Sequence, residues 1–499
     1  MMINFRDLCI CFWDNFDEYV DEKYIIDDGK EHFINNKKTN LEDIIAYPFY
    51  NHGRTTAIEA IDFIRERTGD KNMTLSKSSI SKRRRLIEHV CYVDMNEDFV
   101  NEIYNNDERP GLVKGYSLLA CDSSICDAPN IGYTEEKLKK LNNPHLNRLR
   151  NELIRFRASC IVDAQTDFIL TATLTNSKKM GEVELAIEHL DNLNQRIDMS
   201  TTVTAYDRAY GSFELMLKHV TINSKFVIRL KSDDLINERQ HMLTNDEYVT
   251  VNLNSGKTQN FHNKELKEKA LENRSMNIRI TEIELTDKKG KKYTEILASN
   301  LPLDEFTTQD LKEIYNKRWK VETNFDRLKN IIHIENYSGY SEQIILQDFY
   351  ANVFIFNYLM AMKLDADQKV QQKHKNKKLK HEYKTNLNVL FGLIKLDMPD
   401  LLSNSPYEKT KAVDRILNTA QSNLIEKNKK HDRNPDRKVK DPTNKYPPTQ
   451  RRAEWRKKNK HFFFKKISSK QGWDCTNIYP SMYIYNIITE LMILMSFFF

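Results

Sequence analysis

A chain of 499 residues that is 40% hydrophobic, 30% charged and carries only 13 Gly and 12 Pro can bury a large core, which excludes a fibrous or mainly disordered protein. Its length suggests roughly two to four domains. The net charge of +6 is unevenly spread: residues 427–466 hold sixteen Lys or Arg against four Asp or Glu, and the rest of the chain is net acidic.

Residues 1–110 read as a helical region. Arg6, Asp7, Asp14, Asp17 and Glu18 break the apolar character that a signal peptide needs. Seven scattered cysteines, with no paired CxxC units and no zinc spacing, fit free thiols in a reducing, cytoplasmic compartment. Within residues 73–90, Ser and Thr cluster ahead of Lys82, Arg83, Arg84 and Arg85. This is either a capped helix that offers a basic turn to phosphates or a merely solvated basic face.

From residue 115 the pattern changes. Residues 117–121 (SLLAC), 157–163 (RASCIVD), 168–174 (FILTATL), 201–206 (TTVTAY) and 225–230 (KFVIRL) read as strands. Residues 181–193 and 213–220 carry helical periodicity between them. A mixed sheet flanked by helices follows, an α/β class. Residues 233–295 alternate polar and apolar and read as a β-rich insertion, after which 296–301 returns to the sheet. The expected division is a helical region at 1–110 and a catalytic core at 111–232 and 296–362. The insertion takes 233–295, C-terminal helices 363–426, a basic segment 427–470 and an atypical apolar tail 471–499. The basic segment suits a polyanion, a solvated tail being the plain alternative. The tail includes Asn486, Thr489 and Glu490, and no membrane partner is expected.

The stretch 314–330 reads IYNKRWKVETNFDRLKN. At about 100° per residue on a helix, Tyr315, Arg318, Glu322 and Lys329 fall within an arc of about 60°. Beside them runs an apolar stripe of Ile314, Val321, Phe325, Leu328 and Ile332. One stripe is expected to pack and the other to present polar groups, together with Trp319.

Asp122 and Asp207 each follow an apolar strand run, a position where an open sheet exposes ligands. If the strands are neighbours, the two carboxylates converge and favour a divalent cation. Glu322 would complete a site for two Mg²⁺ or Mn²⁺ ions that act on a phosphodiester. Asp163 is the alternative first acid, although Asp-Ala-Gln-Thr is ordinary turn chemistry.

These residues carry a resemblance. Tyr315, Arg318, Glu322 and Lys329 match the Tyr-x2-Arg-x3-Glu-x6-Lys signature of one branch of the DDE transposases of bacterial insertion sequences. Asp207 lies in DRAYGS, similar to the family's DRGY, and Asp122 lies in DSS where the family has DGT. The resemblance covers roughly 115–361. It implies a ribonuclease-H-like core with a β-rich insertion, Asp122, Asp207 and Glu322 as metal ligands, and metal-dependent DNA cleavage and strand transfer. It further implies contacts to DNA phosphates from Tyr315, Arg318 and Lys329, with Trp319 and Arg208 beside them. DNA, both terminal inverted repeats and target, is the expected partner, bound by a homodimer near the nucleoid. A catalytically silent DNA-binding relic is the alternative.

Overall fold

The computed structural model describes residues 4–427 except 35–37, 107–110, 129–153, 177–179, 287–289 and 376–380. The basic segment beyond Lys427 and the apolar tail lie outside the described residues, so the expectations for them stand as made.

Strand β1 (Ser117–Ala128) pairs antiparallel with β2 (Ile154–Asp163), and β2 pairs antiparallel with β3 (Ile169–Thr175). Strands β4 (Thr202–Tyr206) and β5 (Lys225–Arg229) continue the sheet on the other side of β1, parallel to it. Parallel strands need crossovers, and the helices Glu182–Asn194 and Phe213–Thr221 lead into β4 and β5. Every residue of β4 is buried, as expected of an interior parallel strand covered on both faces. The order β3-β2-β1-β4-β5 is the ribonuclease-H-like core expected from the sequence.

Residues 233–295 hold two features that the sequence reading did not specify. Strands β6 (Asp246–Asn252), β7 (Ser275–Thr286) and β8 (Lys292–Ser299) join the same sheet, because β8 pairs antiparallel with β5. The result is one eight-stranded sheet. The unpaired edge of β5 is thereby covered, which removes a hazard of exposed strand edges. The segment also holds a helix, Lys264–Asn273, capped by the Asn263 side chain and packed against Phe213–Thr221. Glu214 ties the two together by accepting from the His262 and Asn263 N–H groups at 2.9 and 2.6 Å.

The helix Glu342–His374 runs through the centre. It is long and apolar enough to cross a membrane, but 89% of its most apolar window is buried within the protein. It packs on Phe5–Asp14, Val90–Tyr104 and Pro406–Ala420. The N-terminal and C-terminal helical regions therefore share one core with the sheet. Phe354 lies 4.3 Å from Phe12, and Trp13, Phe49, Phe99 and Tyr358 surround it. Such aromatic pairs each add about 0.5–1.5 kcal/mol beyond their buried area.

Two fully buried histidines lie behind the sheet. His189 sits between the hydroxyls of Thr171 and Ser159 at 3.2 and 3.1 Å. His219 sits between Tyr206 Oη at 2.8 Å and Ser224 Oγ at 2.6 Å. Burial lowers His189 to about 4 and His219 to about 3. The unfolded chain takes up protons near pH 6.5 that the fold refuses, so stability is lost as pH falls from there. Each histidine should cost about 2 kcal/mol by pH 5. Thermal unfolding at pH 7.5 and 5.0 tests this: the His189→Gln/His219→Gln variant should show the shallower acid dependence, and equal slopes would refute it.

Candidate active site

Strands β1 and β4 pair with a constant offset, Ser117 opposite Thr202 and Ala120 opposite Ala205. Carried on by two residues, that register sets Asp122 level with Asp207. β4 ends at Tyr206, and Asp207 caps the short turn Arg208–Tyr210 by accepting from the Ala209 N–H at 2.7 Å. β1 does not end at Asp122. It continues to Ala128, with Asp122 opposite Cys160 on β2. The apolar run stops there because β1 loses its β4 neighbour, and the burial of β1 declines from that point.

Glu322 comes from the other side. The helices Thr308–Lys317 and Trp319–Arg327 meet at Arg318, whose N–H turns back to Tyr315 O at 3.0 Å. The first packs on β4 and β5, the second on β1 and β2. The apolar stripe behaves as expected: Ile314, Val321, Phe325, Leu328 and Ile332 are all buried. Asp167, at the β2–β3 turn, fixes the second helix. Its carbonyl accepts from Asn324 Nδ2 at 2.8 Å, and its carboxylate pairs with Arg327 at 2.8 Å and Lys320 at 3.6 Å.

Arg318 joins the acids. Its guanidinium stands 3.5 Å from Asp122 Oδ2 and 2.7 Å from Glu322 Oε1. The Asp122 carboxyl is pushed up to about 6, first by burial and then by nearby Asp207 and Glu322; the Ser123 N–H and Arg318 act against this. Asp122 thus lies within electrostatic reach of both Asp207 and Glu322. As they stand, no three or more His, Cys, Asp or Glu side chains among the described residues are grouped to hold a metal ion. The donor set suits a hard divalent cation, since all three groups are carboxylates. Asp163 takes no part. Its carboxylate accepts from the Gln165 and Thr166 N–H groups at 2.7 and 3.1 Å and from Tyr104 Oη at 2.7 Å, the turn chemistry expected of it.

The remaining signature residues make contacts of their own. Tyr315 is 5% exposed and packs in a small core with Leu118, Val203 and Val227. Lys329 falls in a π-helical turn, Leu328–Ile332, and donates to Ile125 O at 2.7 Å. Trp319 and Arg208 are exposed. In the basic helix Lys77–Arg84, Ser76 caps as expected by accepting from the Ser79 N–H at 3.1 Å. Lys82 and Arg85 are exposed, and Arg83 stacks 4.6 Å over Phe33. Arg84 is 1% exposed and points inward, where it pairs with Asp348 at 2.8 Å. Its guanidinium is committed to the core rather than offered to a phosphate.

One contact had no signal in the sequence. Ser123, where the resembling family has Gly, donates its hydroxyl to Glu182 Oε1 at 2.6 Å, and Arg157 pairs with the same carboxylate. The departure from the motif is a serine in use beside Asp122.

The chain matches the Transposase DDE domain family over residues 121–358. Among solved structures it is similar to the piggyBac transposase synaptic complex with hairpin DNA, at 10% identity and a TM-score of 0.42, over 84% of each chain. No curated protein matches it. The family match begins at the residue before Asp122 and takes in Asp207 and Glu322, so the region of this chain that holds all three acids is similar to a transposase DDE domain.

Proposed function

We propose that this protein is a transposase that binds the terminal repeats of an insertion element and catalyses DNA strand cleavage and transfer, with Asp122, Asp207 and Glu322 as the ligands of two Mg²⁺ or Mn²⁺ ions. The observation that carries the proposal is the β1–β4 pairing, which runs to Ala120 opposite Ala205, two residues before each aspartate, together with the link of Glu322 to Asp122 through Arg318. Ions held there would supply charge neutralisation and a deprotonated oxygen nucleophile. The chain's own groups do the rest. Exposed Trp319 and Arg208 flank the acids and meet the DNA end, and Arg318 offers a planar fork suited to a phosphate. Asp167 and its partners hold the helix of Glu322 to the sheet, so the third acid is placed by rigid elements. Lys82, Arg83 and Arg85 and the basic segment past Lys427 add sequence-independent grip. Two element ends must be brought together, which calls for a homodimer on DNA.

The test is cleavage of a labelled duplex that carries the element's own flanking repeats, in Mg²⁺ or Mn²⁺ against EDTA. Cutting at the repeat edge that requires both the ion and Asp122, lost in Asp122→Ala, is the expected result. Tight binding with no cutting in either metal would mark a silent DNA-binding protein instead.

A further inference from the structure

We propose that Arg318 holds the place of a divalent cation between Asp122 and Glu322 and is drawn off by a DNA phosphate, so that DNA binding and metal loading are coupled. The inference rests on the assignment of the three acids above.

Position is the first support. One guanidinium reaches an oxygen of Asp122 at 3.5 Å and an oxygen of Glu322 at 2.7 Å, from two different nitrogens. It thus neutralises two carboxylates where a bridging ion would do the same. Without it, three acids within electrostatic reach would stand uncompensated in a half-buried site, a costly arrangement.

The second support is how loosely it is held. Arg318 Nε is buried and has no hydrogen-bond partner among the described residues, and the contact to Asp122 is stretched. Arg84 shows what a permanent buried arginine looks like here. Its guanidinium bonds Gln347, Ser338 and Asp348 from three nitrogens. Arg318 uses two nitrogens, one of them at 3.5 Å, and an arginine with unused donors gains from exchanging a distant carboxylate for a bidentate phosphate.

The third support is the joint that carries it. Arg318 sits between two helices, its backbone in a tight turn, with the exposed Trp319 ring 4.9 Å from its guanidinium. The guanidinium thus already borders an exposed aromatic face. An ion and Arg318 compete for the same two carboxylates, while DNA and the acids compete for Arg318. DNA should therefore raise metal affinity, and the ion should raise DNA affinity by the same factor.

Titration of Mn²⁺ into the full chain by calorimetry tests this, with and without a short duplex that lacks a cleavage site. Arg318→Gln should bind Mn²⁺ about tenfold tighter than the wild type in the absence of DNA. The duplex should tighten the wild type by a similar factor and Arg318→Gln by little. Arg318→Lys, which keeps the charge and guards against a folding defect, should fall between them. Asp122→Asn reports whether the ion is at the acids at all. If Asp122-dependent Mn²⁺ binding persists and neither Arg318 variant tightens it, the placeholder role is wrong and the three acids stand. If no variant shows Asp122-dependent binding, the acid assignment fails and this inference with it.

Discussion

Glu322→Gln should leave DNA binding intact and remove strand cleavage. The change is close to isosteric, and the amide oxygen still accepts from the Arg318 guanidinium that now lies 2.7 Å from Glu322 Oε1. The Glu322 side chain is 41% exposed, so stability should move by no more than about 0.5 kcal/mol. What is lost is one negative charge from a three-acid site. Removing a charge aimed at the reacting atoms costs on the order of 10³-fold in rate. Duplex affinity should hold or rise slightly, since a carboxylate near phosphates is repulsive. Single-turnover cleavage with Mg²⁺, run beside a gel-shift titration, separates the two effects. Asp326→Asn is the control on the same helix: Asp326 is exposed, accepts only from Asn330 one turn on, and should cut normally. Cleavage by Glu322→Gln at the wild-type rate would remove it from the site.

The two stripes on that helix show what a sequence can and cannot say. Ile314, Val321, Phe325, Leu328 and Ile332 are buried as the 3.6-residue period demands, because burial of an apolar face follows from composition alone. The polar stripe was drawn with the same period and held only in part. The helix is interrupted at Arg318 and widens to a π turn at Leu328–Ile332, and Lys329 there donates to Ile125 O on β1. Tyr315 went into the core, where Leu118, Val203 and Val227 left a place for a ring. Strands β1 to β5 and their two crossover helices were legible in order, because β-branched runs alternate with helical periods. Pairing beyond them was not. Residues 297–299, which pair with β5, fall in the stretch 296–301 expected to return to the sheet, but nothing local says that β6 and β7 will extend that same sheet through β8. The contact of Ser123 with Glu182 joins positions 59 residues apart and has no periodic trace.

The basic run Lys82–Arg85 is the sharpest case, and it leads to the second large effect. Arg84→Ala should destabilise the protein by about 3–5 kcal/mol, the usual result of breaking a fully buried ion pair. Arg84 and Asp348 are each about 1% exposed at the side chain, 264 residues apart in sequence, with Arg84 also bonded to Gln347 and Ser338 and packed 5.5 Å from the Tyr47 ring. Truncation leaves the Asp348 carboxylate buried with only the Ser338 N–H and hydroxyl to satisfy it, and opens a cavity beside Tyr47. Lys82→Ala and Arg85→Ala remove exposed charges and should change stability by no more than about 0.5 kcal/mol. Each should instead weaken duplex binding and reduce its salt dependence by roughly one released counterion. Denaturant unfolding and anisotropy titrations in rising salt, run on all three variants, separate a structural arginine from phosphate-facing ones. Arg84→Ala that unfolds like the wild type and loses only salt-dependent binding would return Arg84 to the surface. The double variant Arg84→Met/Asp348→Leu should recover much of the loss, because an apolar pair removes the uncompensated charge. The pair also has a functional consequence. It fastens the helix Lys77–Arg84 to the central helix Glu342–His374 and to Ser338, which follows the helix that carries Glu322. Loosening it should therefore impair DNA grip and cleavage together, whereas loss of Lys82 or Arg85 should impair grip alone.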